Sequence, residues 1–361
     1  MKPMIGRREF ALWAAAALGG RPALAQAPAA PGGGKPRLAD MHSHYGMFLP
    51  RPFGLDLGRH LRDNGVALMA WAVVDDRPWI AASGRLTQVA QPQPGEIWAQ
   101  WQALMKDYAG RLQKWKVPLA LTPADLDAAL AGEPHVVLAC ESANFLEGQP
   151  ERLAQAHAMG VRHMQLVHYI HSPLGDHQTA EPAHARLTPL GARVVAECRR
   201  LGMVVDLAHS TAAVVDGALD ASDAAVVWSH SWISPSGGAP ADAGYLARSL
   251  PLAQARKIAA RGGAIGLWCL RLGNDPGYPV NSKRTYADEI MRMCDLVGPE
   301  HVAFGTDMEG VWPNRMMNDY EDLRDVADNL AQRGLPEAVL HNVFLGNYAR
   351  IVRQAMNGAR P

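Results

Sequence analysis

Short apolar runs alternate with helix-like patterns along most of this chain, and that alternation limits the fold more than any other feature. A strand followed by a helix and then by another strand usually joins a parallel sheet with the helices packed outside it. Eight such strands fit a closed barrel, so the predicted class is α/β, a TIM-like (β/α)8 barrel with extra C-terminal helices. The strands are predicted near residues 37–41, 66–74, 136–140, 161–167, 203–207, 225–228, 264–267 and 301–304.

Helices are predicted between the strands and after the last one. Thr188-Pro189 matches an N-cap followed by proline at the first helical position, and Gly202 and Gly262 lie where a helix should end. Two or three further helices are expected over 319–356, so residues 37–356 are predicted to form a single domain with a tail at 357–361. The helices between strands are predicted over 97–115, 123–131, 151–159, 189–201, 212–221, 252–261 and 286–296.

Composition excludes several classes of function. The 361 residues contain 35 Lys and Arg against 35 Asp and Glu, with no basic run, which argues against a nucleic-acid partner. No apolar stretch reaches the roughly 20 residues of a membrane-spanning helix. The cysteines form no C-x-x-C pair, so buried free thiols are expected rather than a zinc ribbon. They are Cys140, Cys198, Cys269 and Cys294.

The first residues have the order of an export signal. Arg7-Arg8 precedes a short apolar run at 11–18, and small residues of the A-x-A type follow at 23–27. This order predicts a twin-arginine signal peptide over 1–27, a flexible leader over 28–36 and a periplasmic or otherwise exported protein. The alternative is a chance arginine pair before a helix.

Polar side chains end most of the predicted strands, where barrel enzymes build their sites. A single histidine is more often a structural residue, but several histidines and a glutamate at strand ends are hard to explain by packing. They provide enough imidazole and carboxylate for two divalent ions, with Glu141 shared between them. The residues are His42 and His44 after the first strand, Glu141 after the third, His168 after the fourth, His209 after the fifth, His230 after the sixth and Asp307 after the eighth.

Ordered motifs from about Asp40 to Ile351 resemble those of the membrane (renal) dipeptidase family of metallopeptidases. That family opens with D-x-H-x-D, where this chain has His44 in place of the last aspartate. The other matching segments are Gly160-Val161-Arg162 with His168 and Asp176, Leu187-Thr188-Pro189-Leu190-Gly191, Leu201 to His209, Ser229-His230-Ser231, Arg248-Ser249-Leu250-Pro251, Gly305-Thr306-Asp307 and Leu345-Gly346-Asn347-Tyr348.

The resemblance implies an enzyme, a zinc metallo-dipeptidase, and a role for each site residue. His42 and His44 would hold one metal ion, His209 and His230 a second, and Glu141 would bridge both. His168 would contact the substrate carbonyl, and Arg248 would bind the C-terminal carboxylate of a small peptide or amide substrate. Asp307 would transfer protons, so that a metal-bound hydroxide cleaves the amide bond. Homodimers are known in the family.

His44 is the main departure from the family pattern. Imidazole in place of carboxylate favours zinc over magnesium and makes the first ligand set less negative. Two zinc ions are therefore expected, with one weak or empty site as the alternative.

Two other interpretations also fit the sequence. One is an amidohydrolase acting on another small amide, a lactam or a secondary metabolite, and another is a non-hydrolytic binding barrel with an altered metal site. Asp75-Asp76 is interpreted as a turn. Asp40 and Asp206 are hypothesised to orient ligand imidazoles.

Overall fold

The computed structural model describes residues 37–49, 55–81, 87–235, 237–273, 275 and 277–359. The predicted signal peptide and leader, residues 1–36, lie outside the described residues. None of the described helices is both long and apolar enough to cross a membrane.

Eight strands form a parallel sheet in the order β1-β2-β3-β4-β5-β6-β9-β10, and two short strands, β7 and β8, pair separately. All eight predicted strands are found, with ends shifted by a few residues. The largest shift extends β6 through Ser231, so that His230 lies within the strand. The strands are β1 Leu38–Ser43, β2 Val66–Val73, β3 His135–Cys140, β4 Val161–Gln165, β5 Val204–Asp206, β6 Val227–Ser231, β7 Ile233–Ser234, β8 Leu250–Pro251, β9 Ala264–Leu267 and β10 Val302–Phe304.

The predicted helices are also present, and Thr188 caps its helix by accepting a hydrogen bond from Gly191 N. One helix, at Leu57–Asn64, was not predicted. The helices are α1 Leu57–Asn64, α2 Glu96–Trp115, α3 Pro123–Ala131, α4 Arg152–Ala158, α5 Pro189–Leu201, α6 Ala212–Ala221, α7 Leu252–Ala260, α8 Lys283–Val297, α9 Glu321–Gln332, α10 Glu337–His341 and α11 Asn347–Asn357.

Two layers of apolar side chains form the core. Along β2, Met69, Trp71 and Val73 belong to the larger cluster, which includes apolar residues of most of the helices, whereas the small Ala70 and Ala72 belong to a second cluster. Alternation of this kind puts large residues under the helices and small ones inside a barrel. The second cluster also contains apolar residues of α11, and all four cysteines are buried and free, as expected.

The chain closes the barrel with backbone hydrogen bonds between the end of β1 and the segment after β10. Asp307 N donates to His42 O at 2.9 Å, and His44 N donates to Met308 O at 3.0 Å. The two ends of the sheet therefore meet at residues that were predicted to build the site.

Candidate functional site

The predicted site residues meet at the carboxyl ends of the barrel strands. His42 lies in β1 and His230 in β6, while the others follow β1, β3, β5 and β10 within three residues. Because these ends share one face of a parallel barrel, the side chains converge there. All are buried: His42, His44, Glu141, His209, His230 and Asp307.

The Glu141 carboxylate is the centre of this cluster. Its Oε2 lies 3.0 Å from His44 Nε2, and its Oε1 lies 3.2 Å from His209 Nε2, 3.4 Å from His42 Nε2 and 3.5 Å from His230 Nε2. The Nε2 atoms also approach in pairs, at 3.2 Å for His42 and His44 and 3.0 Å for His209 and His230. Two nitrogen ligands of one tetrahedral zinc ion are about 3.3 Å apart, so each pair fits a shared ion.

Several features show that the donor set suits divalent ions. His44 Nδ1 lies 2.9 Å from Ala72 O, and a proton on Nδ1 leaves the lone pair of Nε2 for a metal. Asp307 Oδ1 is buried without a hydrogen-bond partner among the described residues, and it lies 3.3 Å from His44 Nε2. His42, His44 and Asp307 form one group of candidate ligand atoms, and Glu141, His209 and His230 form another.

Burial and neighbouring charges set the protonation of these groups. Burial lowers the pKa of His209 and His230 well below the ordinary histidine value, so both are neutral and able to bind a metal. Burial would raise the pKa of Glu141, but the surrounding histidines lower it well below its usual range. Burial would also lower the pKa of His44, but Glu141 and Asp307 outweigh it and raise the pKa to about 10. A proton must therefore leave His44 before its Nε2 can bind an ion.

Asp40 and Asp206 accept hydrogen bonds from the backbone around the ligands, and no described hydrogen bond joins them to the predicted ligand imidazoles, contrary to the hypothesis for Asp40 and Asp206. Asp40 accepts from His42 N at 3.2 Å, and Asp206 accepts from Ser229 N at 3.0 Å. The Ser229 hydroxyl contacts the rings instead, at 2.8 Å from His230 Nδ1 and 3.4 Å from His42 Nδ1. Asp206 also lies 3.2 Å from Nε2 of His163, which was not predicted as a ligand.

Three residues at or beside the site have a strained backbone. His209 has φ 70°, Asp307 has φ 53° and Glu309 has φ 72°, a region that non-glycine residues rarely adopt. Such residues persist where the surrounding structure fixes them, often at functional sites. At Gly310 an added Cβ would meet Asp307 Oδ1 and His44 Cδ2, so only glycine fits beside these groups.

The predicted substrate-contacting residues also lie in this cluster. His168 Nε2 is 3.4 Å from Glu141 Oε1. Arg248 is only 1% exposed, so it is not a surface residue, and its Nη2 lies 3.3 Å from His230 Nε2. Its Nη1 donates to Tyr169 OH at 2.9 Å, and its Nε donates to Gln178 Oε1 at 3.3 Å.

The sequence interpretation missed the role of Asp75-Asp76. The backbone bends there, as expected for a turn, but both carboxylates are buried and hydrogen-bonded toward the site. Asp75 accepts from Ser142 Oγ and Phe145 N, and Asp76 Oδ1 lies 2.8 Å from His168 Nδ1. The available signal was that two carboxylates directly follow a strand, as the site residues do.

Known proteins share both the sequence pattern and the fold. A model of the membrane dipeptidase family (Peptidase family M19) matches residues 87–361, which leaves His42 and His44 outside the match. Dipeptidase aclJ from Aspergillus oryzae is 27% identical over 227 residues, or 62% of this chain and 52% of that protein. This chain spans about half the length of the curated relatives it matches.

Two solved structures share the fold at low sequence identity. A metallo peptidase from Rhodobacter sphaeroides, liganded with a phosphinate mimic of the dipeptide L-Ala-D-Ala, has a TM-score of 0.75 at 17% identity and covers 89% of this chain and 100% of that chain. The probable dipeptidase PvdM from Pseudomonas aeruginosa has a TM-score of 0.71 at 18% identity, covering 90% and 95%. With a family match over most of its length, the chain belongs to the membrane dipeptidase family.

Proposed function

We propose that this protein is a metal-dependent dipeptidase that hydrolyses the amide bond of short peptides with a free C-terminus. The observation that carries the proposal is the position of Glu141, whose carboxylate lies within 3.5 Å of Nε2 of His42, His44, His209 and His230. A buried carboxylate surrounded by imidazole nitrogens suits a pair of divalent ions better than it suits a packed core.

Two zinc ions are the proposed cofactors. His42, His44 and Glu141 would hold one ion, and Glu141, His209 and His230 the other, with imidazole ligands favouring zinc. Bound zinc would supply Lewis acidity, lowering the pKa of water from 15.7 to about 7 and polarising the scissile carbonyl.

Asp307 is proposed to transfer protons. Its Oδ1 is buried, lacks a hydrogen-bond partner among the described residues, and faces the ligand cluster. A carboxylate in that position can accept a proton from the attacking water and deliver it to the departing nitrogen. Burial would lower the pKa of His168, but the carboxylates of Asp76 and Glu141 outweigh it and raise the pKa. His168 is therefore proposed to carry protons on both ring nitrogens and to donate from Nε2 to the carbonyl oxygen, a contact worth roughly 2.7–4 kcal/mol at comparable oxyanion donors.

Arg248 is proposed to bind the C-terminal carboxylate of the substrate. Among the residues that the structure describes, no carboxylate pairs with its buried guanidinium. Hydrogen bonds from Nη1 to Tyr169 and from Nε to Gln178 fix the orientation of the guanidinium. A buried positive charge without a counter-ion favours an anionic ligand, and guanidinium binds a carboxylate in a bidentate manner. A clamp of this kind would restrict substrates to short peptides.

Export is a separate part of the proposal. It rests on the sequence of residues 1–27, which carry the arginine pair, the apolar run and the small residues of a twin-arginine signal. A mature N-terminus near residue 28, determined on protein recovered from the periplasm, would support it, and an uncleaved cytoplasmic protein would contradict it.

The test combines metal analysis with turnover of a dipeptide panel. We expect about two equivalents of zinc, chelator-sensitive hydrolysis, and a loss of more than about 100-fold in kcat/KM with Glu141→Gln, which exceeds the effect of losing an outer partner. Glu289→Gln is the matched control, because Glu289 is also buried but pairs with Arg292 in α8, and it should keep both metal and activity. A metal-loaded protein that cleaves no dipeptide would overturn the proposal.

A further inference from the structure

The Asp75-Asp76 pair follows β2 and reaches over the ends of the next two strands. Asp76 is fully buried and contacts His168 and Tyr169, which lie in the loop that follows β4. We infer that Asp76 is the positioning residue for the substrate-contacting side chains, because it fixes the His168 ring directly and the Arg248 guanidinium through Tyr169.

The first link is a hydrogen bond between Asp76 and the His168 ring. Asp76 Oδ1 lies 2.8 Å from His168 Nδ1, and His168 Nε2 lies 3.4 Å from Glu141 Oε1 on the other side of the ring. The bond made by one ring nitrogen fixes the direction in which the other nitrogen faces. Rotation of the ring would break a buried bond to a carboxylate, so Nε2 stays turned toward the site.

The second link joins Asp76 to Arg248 through the backbone amide and the hydroxyl of Tyr169. Asp76 Oδ2 accepts from Tyr169 N at 3.4 Å, and the Tyr169 hydroxyl accepts from Arg248 Nη1 at 2.9 Å. The His168 and Tyr169 rings are 4.2 Å apart between centroids, and the guanidinium carbon of Arg248 lies 5.6 Å from the Tyr169 ring centroid. The Asp76 carboxylate thus contacts His168 itself and Tyr169, the residue that binds Arg248.

Asp75 has a different set of partners. It accepts from Ser142 Oγ and Phe145 N, in the loop that follows Glu141. No contact joins Asp75 to the ring of His168 in the described hydrogen bonds, so the positioning of that ring is assigned to Asp76 alone.

The test is a double-mutant cycle between Asp76 and His168, and its turnover readout rests on the proposed function. Asp76→Ala should lower kcat/KM by about 10–100-fold, the range for hydrogen-bond partners of metal-binding histidines, with a lower kcat and a higher KM. Asp76 acts on the substrate carbonyl only through the His168 ring. The double variant Asp76→Ala/His168→Ala should therefore have a kcat within about twofold of that of His168→Ala alone. Asp76→Asn keeps an acceptor oxygen and should recover most of the loss without a change in metal content or melting temperature. Independent, multiplying losses in kcat would overturn the inference.

A second readout does not depend on hydrolysis. In protein labelled with 15N-histidine, the Nδ1–H of His168 should give a slowly exchanging signal, identified by its absence in His168→Ala. That signal should disappear in Asp76→Ala and persist in Asp76→Asn. If it persists in Asp76→Ala, the inference is wrong even if the protein is a dipeptidase. If the wild type cleaves no dipeptide, the proposed function fails and the signal alone decides the role of Asp76.

Discussion

His44 is the residue at which the chain's chemistry departs furthest from its family pattern, D-x-H-x-D. Its Nε2 lies 3.0 Å from Glu141 and 3.3 Å from Asp307, so it separates two carboxylates that would otherwise repel each other. The imidazole therefore reduces the negative charge offered to a metal and stabilises the cluster when no metal is bound.

We predict that His44→Asp retains or raises dipeptide hydrolysis, because it restores the ligand of the family pattern. The added negative charge should strengthen the binding of divalent ions and lower the stability of the chelator-treated protein relative to wild type, since three carboxylates would then lie together. Metal content, kcat/KM and melting temperature check this, with His44→Ala as the variant that removes the ligand. Loss of all bound metal in His44→Asp would count against the assignment of position 44.

A second residue makes stability depend on pH. His177 is 3% exposed, its Nε2 has no hydrogen-bond partner among the described residues, and burial together with nearby His168 and His171 lowers its pKa to about 3. Folded His177 is therefore neutral between pH 3 and 6.5, whereas the unfolded chain takes up a proton below pH 6.5. Its neutral ring favours the folded state above pH 6.5, and this contribution is lost as the pH falls.

We predict that His177 alone makes the free energy of unfolding fall by up to about 1.4 kcal/mol per pH unit below pH 6.5. Urea titrations between pH 5 and 8 should show a steeper decline for wild type than for His177→Asn, which keeps a polar group near Thr179. The difference in unfolding free energy between the two proteins should be constant above pH 7.5. Parallel curves down to pH 5 would show that the ring is not buried in its neutral form.

At the scale of elements, the sequence was most informative where one local rule decides the outcome. Both ends of α3, α5 and α6 match the prediction residue for residue. In α3 and α5, a threonine N-cap followed by proline marks the first residue of the helix. Helix α1 was missed because the eight residues Leu57–Asn64 carry few apolar positions to define a helical period. The direction of Asp76 depends on β4 lying two strands away, which is tertiary information that no local pattern contains.

Glu309 shows how one side chain fixes an element of the site. Its buried carboxylate accepts from Gly46 N at 2.8 Å, Phe48 N at 2.9 Å and Leu49 N at 3.1 Å. These amides belong to the loop after β1, and the Phe48 ring packs against His44 with centroids 4.9 Å apart. The loop that covers His44 is therefore held by a residue from the opposite end of the sheet.

We predict that Glu309→Gln weakens this loop without unfolding the barrel. The amide nitrogen of glutamine would face backbone donors, and losing hydrogen bonds to a charged group should cost about 1–3 kcal/mol in the free energy of unfolding. Hydrogen exchange should accelerate at the amides of residues 46, 48 and 49. The exposed Glu337→Gln is the control and should change stability by less than about 0.5 kcal/mol. If the exchange rates of those amides do not change, Glu309 does not hold the loop.

At the scale of the whole molecule, the same residues close the barrel and build the site. The hydrogen bonds that join β1 to the segment after β10 involve His42, His44 and Asp307, all candidate ligands or their neighbours in the cluster. The sequence could predict the strands and their polar ends, because both follow from local patterns. It could not predict that closure is made by the backbone of the site residues, since that depends on the stagger of the first and last strands.

We therefore predict that metal removal destabilises the whole fold rather than one loop. An ion that binds only the folded barrel stabilises it by about 2.7 kcal/mol at 100 times its dissociation constant, which corresponds to roughly 5 °C in melting temperature at about 2 °C per kcal/mol. Chelation should lower the melting temperature by at least this amount in a single transition, and zinc should restore it. Glu141→Gln should melt at nearly the same temperature with and without chelator, because the shared ligand is gone. If chelation leaves the wild-type transition unchanged, the imidazole cluster does not hold an ion, and the proposed hydrolysis has no basis.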